Sequence, residues 1–136
     1  MKHTPAELLR AHDLKATAPR IAVLEALQAT HLPIRVQDIK KHLGKGKADT
    51  ATVYRILGAL VNAGIVRQIN LSDTAKYFEL DLGDDHHHIV CTSCSRIEEF
   101  HGCGVEKLEA SVLKKTPFAS IQQHALEFFG ICNDCR

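Results

Sequence analysis

The sequence predicts an α+β fold in two parts, residues 1–82 and 83–136, on three observations. Helical periodicity followed by two strand-like runs fills the first part. A short acidic stretch with a glycine, Asp81-Leu82-Gly83-Asp84-Asp85, suits a hinge. Two Cys-x-x-Cys pairs then bracket the second part.

Each element has a local reason. Thr4-Pro5-Ala6-Glu7 places a hydroxyl at the N-cap, proline at the first helical position and glutamate three residues after the cap, which predicts a helix to about His12. Thr17-Ala18-Pro19 starts a second helix, whose Ile21, Val23, Leu24, Ala26 and Leu27 give one broad apolar face. Val36, Ile39 and Leu43 share a face of a short third helix that Gly44 stops. After the loop Gly44-Lys45-Gly46-Lys47, Asp49 or Thr50 can cap a fourth helix with Val53, Ile56, Leu57, Leu60 and Val61 inward and Gly64 as its stop. Strands are expected over 65–70 and 76–80, joined by 71–75. Helices followed by a hairpin read as a winged helix-turn-helix.

The second part reads as strands over 86–91 and 96–100, a helix over 105–115 and a strand over 121–129. At this size it cannot hold a large core alone, so a metal, a partner subunit or both should stabilise it. The net charge of +1 conceals a division: residues 1–70 carry eleven Lys and Arg against five Asp and Glu, and residues 71–136 carry six against eleven. One half is built to meet polyanions and the other cations. No stretch could serve as a signal-peptide core or a membrane span, so a cytoplasmic protein with no membrane partner is expected, with its five cysteines as thiolates or thiols rather than disulfides.

Cys91-Thr92-Ser93-Cys94 and Cys132-Asn133-Asp134-Cys135 form two knuckles whose two-residue gaps let both sulfurs of each reach one ion. A four-cysteine structural zinc site is the expectation, with a redox dithiol or paired disulfides as alternatives. Asp85-His86-His87-His88 lies within a predicted strand, so His86 and His88 face one way and His87 faces the other with Asp85. Two sites can thus share one strand. Glu79, Glu99, Glu106 and His124 could complete sets of nitrogen and oxygen ligands, which suit Fe(II), Zn(II) or Mn(II). The alternative is a polar surface strand with titrating histidines.

The fourth helix opens with Asp49-Thr50-Ala51-Thr52-Val53-Tyr54-Arg55, setting hydroxyls, an aromatic ring and a guanidinium around its positive end. Thr50, Thr52 and backbone amides can hold phosphates, Arg55 can read guanine or a phosphate, and Tyr54 can pack on a thymine methyl. Lys15, Arg20 and the lysines 45 and 47 are further candidate phosphate contacts. An ordinary capped core helix is the alternative.

Together these motifs resemble the ferric uptake regulator (Fur) family. The likeness rests on Leu14-Lys15-Ala16-Thr17 with Pro19-Arg20, on Ala51-Thr52-Val53-Tyr54-Arg55-Ile56-Leu57, on Ala63-Gly64-Ile65-Val66, on Phe78-Glu79-Leu80, on the run 86–94 and on the stretch 124–135. The resemblance implies a homodimer, assembled through the second domain, whose winged helices bind a palindromic DNA operator when a regulatory metal is present. It implies DNA contacts from Lys15, Tyr54 and Arg55, a regulatory metal site of Glu79, His86, His88 and Glu99, and a further site of Asp85, His87, Glu106 and His124. Family members usually draw another ligand from a histidine just before the third helix; Pro33 stands there in this chain, and His31 is the nearest substitute. Zinc-sensing members tend to have cysteine at the place of Glu79, and peroxide-sensing members aspartate at the place of Glu99, so iron is the expected signal, with zinc or manganese as alternatives. His101 and Cys103 match no ligand of the family. A metalloenzyme is the rival class, and it lacks a nucleophile motif, an HExxH pair or a Gly-rich phosphate loop.

Overall fold

A computed structural model describes the chain except residues 1–2, 71–75, 82, 84–85 and 103. It divides into two compact units, Met1–Gly83 and Asp84–Arg136.

In the first unit the helices are α1 (Pro5–Ala11), α2 (Ala18–Gln28), α3 (Val36–Leu43) and α4 (Thr50–Asn62), and the strands are β1 (Ile34–Arg35), β2 (Val66–Ile69) and β3 (Tyr77–Leu80). Side-chain chemistry sets the helix ends. The Thr4 hydroxyl accepts from the Glu7 amide while the Glu7 carboxylate accepts from the Thr4 amide, a complete capping box. The Thr17 hydroxyl accepts from the Arg20 amide at the start of α2, and Asp49 accepts from the Thr52 amide at 2.7 Å at the start of α4.

The exit from α4 sets the direction of the hairpin. Gly64 takes φ +79°, a left-handed conformation that glycine adopts without strain. The Gly64 amide then donates to the Val61 carbonyl and the Ile65 amide to the Leu60 carbonyl, which closes the helix in a Schellman turn and aims the chain into β2. The three-stranded antiparallel sheet has the order β1-β3-β2, with Arg67 opposite Glu79 and Gln68 opposite Phe78. One core holds the unit together: Leu9, Val23, Leu24, Ile39, Val53, Leu57 and Leu60 are fully enclosed, with Phe78 of the sheet packed on them. The two-residue strand β1 was not expected from the sequence, being too short to show a period. Its pairing with Tyr77 and Phe78 ties the start of α3 to the hairpin.

The second unit contains β4 (His86–Cys91), β5 (Ile97–His101), α5 (Glu106–Lys115) and β6 (Glu127–Gly130). The sheet order is β5-β4-β6, antiparallel between β4 and β5 and parallel between β4 and β6. A parallel neighbour needs a crossover, and the long link from β5 through α5 supplies it. The strand expected over 121–129 is corrected to Glu127–Gly130: residues 121–126 form no regular element and join no ladder, and this stretch brings His124 to His87 of β4 instead of continuing the sheet. Val90 and Cys91 are the only buried apolar side chains among the described residues of this unit.

Candidate metal centres and nucleic-acid interface

Parallel pairing of β4 with β6 brings the two cysteine knuckles together. Cys91 pairs with Gly130 at the end of the ladder, and the Thr92 amide donates to the Gly130 carbonyl at 2.8 Å. All four cysteines are free thiols, and their sulfurs lie within 4.8 Å of one another. Cys94 Sγ and Cys132 Sγ are 3.7 Å apart, far beyond a disulfide bond. The distance matches the edge of a tetrahedron with zinc–sulfur bonds of about 2.3 Å, about 3.8 Å.

Backbone geometry prepares the set for a cation. The amides of Cys132 and Cys94 donate to Cys91 Sγ at 3.4 and 3.5 Å. These bonds stabilise the thiolate and lower the Cys91 pKa to about 6. The Cys135 thiol moves the other way, to about 12, because its hydrogen bond to Cys132 keeps the proton on sulfur, with Cys94 and Cys91 adding to the effect. Four adjacent sulfurs cannot all ionise without compensating charge, so the cluster suits a dication bound by thiolates. Arg96 braces the rim, donating to Asp134 at 3.2 Å and lying 3.5 Å from Glu98.

On β4 the histidines alternate as the sequence predicts. His86, His87 and His88 are all buried. The register sets His86 opposite His101 and His88 opposite Glu99, so these four residues share one face of the sheet. The rings of His86 and His88 meet edge to face with centroids 5.1 Å apart. His101 Nε2 lies 3.0 Å from the Glu99 carboxylate.

His87 looks to the opposite face, against Phe100 and His124. Its Nδ1 is 3.1 Å from the Leu126 carbonyl oxygen, which can only accept, so in the neutral ring Nε2 carries the lone pair. That Nε2 lies 3.3 Å from His124 Nε2, the separation of two nitrogens bound to one ion at about 2.1 Å. His124 Nδ1 is 3.7 Å from the Glu109 carboxylate. Glu109 was missed in the sequence. Glu106, expected at this site, is exposed at the first residue of α5, and Asp85 lies outside the described residues.

Glu79 sits on β3 in the first unit, its side chain only 7% exposed, and accepts from Arg67 Nε across the hairpin at 2.8 Å. A carboxylate so enclosed stays ionised only with a cationic partner. His31 is exposed in the bend before β1, and Pro33 beside it is buried.

The start of α4 carries the candidate nucleic-acid contacts. Thr50, Tyr54 and Arg55 are exposed, Thr52 is half-buried, and Tyr54 leaves 44% of its surface in solvent although it is a large ring. Arg55 donates to the Thr52 hydroxyl at 3.2 Å and Lys40 to the Thr50 hydroxyl at 2.9 Å. The Thr52 amide and hydroxyl hydrogen-bond Asp49, which holds its carboxyl below the usual carboxylate range. Lys15 is exposed, whereas half-buried Arg20 donates back to the Lys15 carbonyl at 3.1 Å and so shapes the turn that presents Lys15. Lys40, Lys41 and Lys45 line a shallow depression beside this helix start, with the Asp49 cap at its edge.

A capped, cation-flanked helix on a small winged unit, joined to a metal-binding α/β unit, defines a metal-dependent DNA-binding protein. The model of the ferric uptake regulator family matches residues 11–129. The ferric uptake regulation protein of Cupriavidus metallidurans is 36% identical over 97% of this chain and 94% of its own. The solved structure of the Vibrio cholerae ferric uptake regulator, 30% identical, superposes with a TM-score of 0.80 over 93% of this chain and 98% of its own. That of the Francisella tularensis regulator with iron, 28% identical, does so with 0.78 over 90% and 94%. The chain belongs to the ferric uptake regulator family. Its members are metal-responsive, dimeric DNA-binding regulators of transcription rather than enzymes, and this chain is one of them.

Proposed function

We propose that this chain is an iron-responsive repressor of metal-uptake genes, acting in the cytoplasm as a homodimer on a palindromic operator. The observation that carries the reading is the pair of buried imidazoles on one face of β4, His86 and His88, on a strand whose end is held by the cysteine cluster. With Glu79, Glu99 and, as the weakest member, His31, they make a donor set of nitrogen and oxygen that suits Fe(II), and accepts Zn(II) or Mn(II), without thiolate.

When bound, the regulatory ion supplies a crosslink between ligands of the two units. Glu79 contributes from the hairpin beside α4 and His86 and His88 from the far side of the hinge, so the ligand set itself would fix the angle at which each recognition helix is presented. Two such helices must meet the DNA at a spacing near one turn, about 34 Å, or a related value. Cys91, Cys94, Cys132 and Cys135 serve as the structural zinc clamp of the dimerisation unit. His87 and His124, with Asp85 and either Glu106 or Glu109, form an additional site. Lys15, Thr50, Thr52, Tyr54 and Arg55 contact DNA, and Arg20 supports Lys15.

Dimerisation is supported by the apolar surface that the second unit leaves exposed, including Ile89, Leu108, Val112, Phe128 and Phe129. Such a surface on a small unit calls for a partner. No helix among the described residues is long and apolar enough to cross a membrane. The test is an anaerobic titration of operator binding with Fe(II), Zn(II) and Mn(II). Operator binding is expected to tighten as Fe(II) fills the site, and equal binding with and without any metal would refute the proposal.

A further inference from the structure

The antiparallel register of β4 and β5 builds a square of four chemically matched side chains. His86 stands opposite His101 and His88 opposite Glu99, and alternation along each strand puts all four on one face. The family resemblance gives His101 no role. We propose that His101 is a ligand of the regulatory ion, so that one hairpin offers three imidazoles and a carboxylate to a single divalent metal; this rests on the reading of His86 and His88 as ligands of that ion.

Ring geometry supports it. Two imidazoles bound to one ion through bonds of about 2.1 Å place their centroids roughly 4.5 to 5.5 Å apart. His86 and His88 are 5.1 Å apart, and His86 and His101 5.9 Å, so His101 needs to close by well under an ångström. Little prevents this. His101 is held by its contact with Glu99 at 3.0 Å, and its side chain is 61% exposed, so the pair contributes little to stability and the ring can turn at low cost. Glu99 is less exposed, at 30%, and already within bonding reach of that ring, so an ion taken up by His101 is delivered beside the carboxylate. Three nitrogens and an oxygen from one hairpin would also let the second unit engage the metal before the hinge is set.

Cobalt(II) added to the zinc-loaded full chain is the probe. Its affinity is read by competition with a chelating indicator, and its ligands by paramagnetically shifted histidine ring signals. His101→Gln keeps an N–H to donate to Glu99 but removes the imidazole. We expect it to weaken cobalt binding about tenfold or more and to remove one shifted ring signal, with zinc content unchanged. Wild-type affinity and signals in His101→Gln, together with loss of binding in the His86→Ala, His88→Ala double variant, would overturn the role of His101 and leave the regulatory site standing. Unchanged cobalt stoichiometry, affinity and shifted ring signals in both variants would overturn both, because an ion held by His87 and His124 alone cannot account for the signals of His86 and His88. A shifted signal assigned to His101 in the wild-type chain is expected independently of any variant, and an unshifted His101 ring at full occupancy overturns the proposal.

Discussion

Removing zinc from the cysteine cluster should unfold residues 84–136 while residues 1–83 remain folded. The magnitudes point one way. Among the described residues of the second unit, Val90 and Cys91 are the only buried apolar side chains, and full burial of a valine contributes about 1.5 to 3 kcal/mol. A structural zinc site contributes on the order of 10 kcal/mol at neutral pH. The first unit, in contrast, has fourteen buried residues in one cluster and no thiolate ligand. Hydrogen exchange of the full chain after chelation, or of the Cys132→Ser, Cys135→Ser variant, should show protection lost at Ile89, Val90 and Phe129 and retained in α2 and α4. Zinc-free protein, verified by metal analysis, that keeps full protection in β4 and β6 would refute the reasoning.

Leu57→Ala, at a side chain with no exposed surface, should destabilise the first unit by about 2 to 5 kcal/mol, measured by denaturant unfolding, and leave zinc content unchanged. Because Asp49 has its carboxyl pKa lowered in the folded chain, its contribution to stability is fully present above the ordinary aspartate value near 4 and is lost as pH falls through the lower folded value. Asp49→Asn should therefore flatten the acid side of the first unit's stability profile, followed by circular dichroism. Arg55→Ala should weaken operator binding, and if Arg55 contacts only a phosphate the loss will be uniform across sequences, with the salt slope reduced by about 1.

What the sequence made legible was local or periodic. The caps at Thr4, Thr17 and Asp49 and the stop at Gly64 depend on side chains and backbone a few residues apart, and they stand where the spacing puts them. Alternation along β4 follows from strand geometry alone, so the two faces of the histidine run were visible at once. Tertiary choices were not. Glu106 and Glu109 lie one helical turn apart on similar faces, and only the path of residues 121–126 decides that Glu109 meets His124. The pairing of Arg67 with Glu79 and of His86 with His101 depends on strand register, which residue spacing does not state. Strand β1 exists because Tyr77 and Phe78 pair with it, not through its own pattern.

The central claim is that ligands on the two sides of the hinge convert metal binding into DNA binding. Its most direct test is an anaerobic Fe(II) titration of operator affinity for the wild-type chain and for the His86→Ala, His88→Ala variant, with zinc content and hydrogen-exchange protection measured in parallel. The variant should keep its zinc, its fold and its weak metal-free DNA affinity but lose the response to Fe(II). A variant that still gains operator affinity with Fe(II) as the wild type does would contradict it.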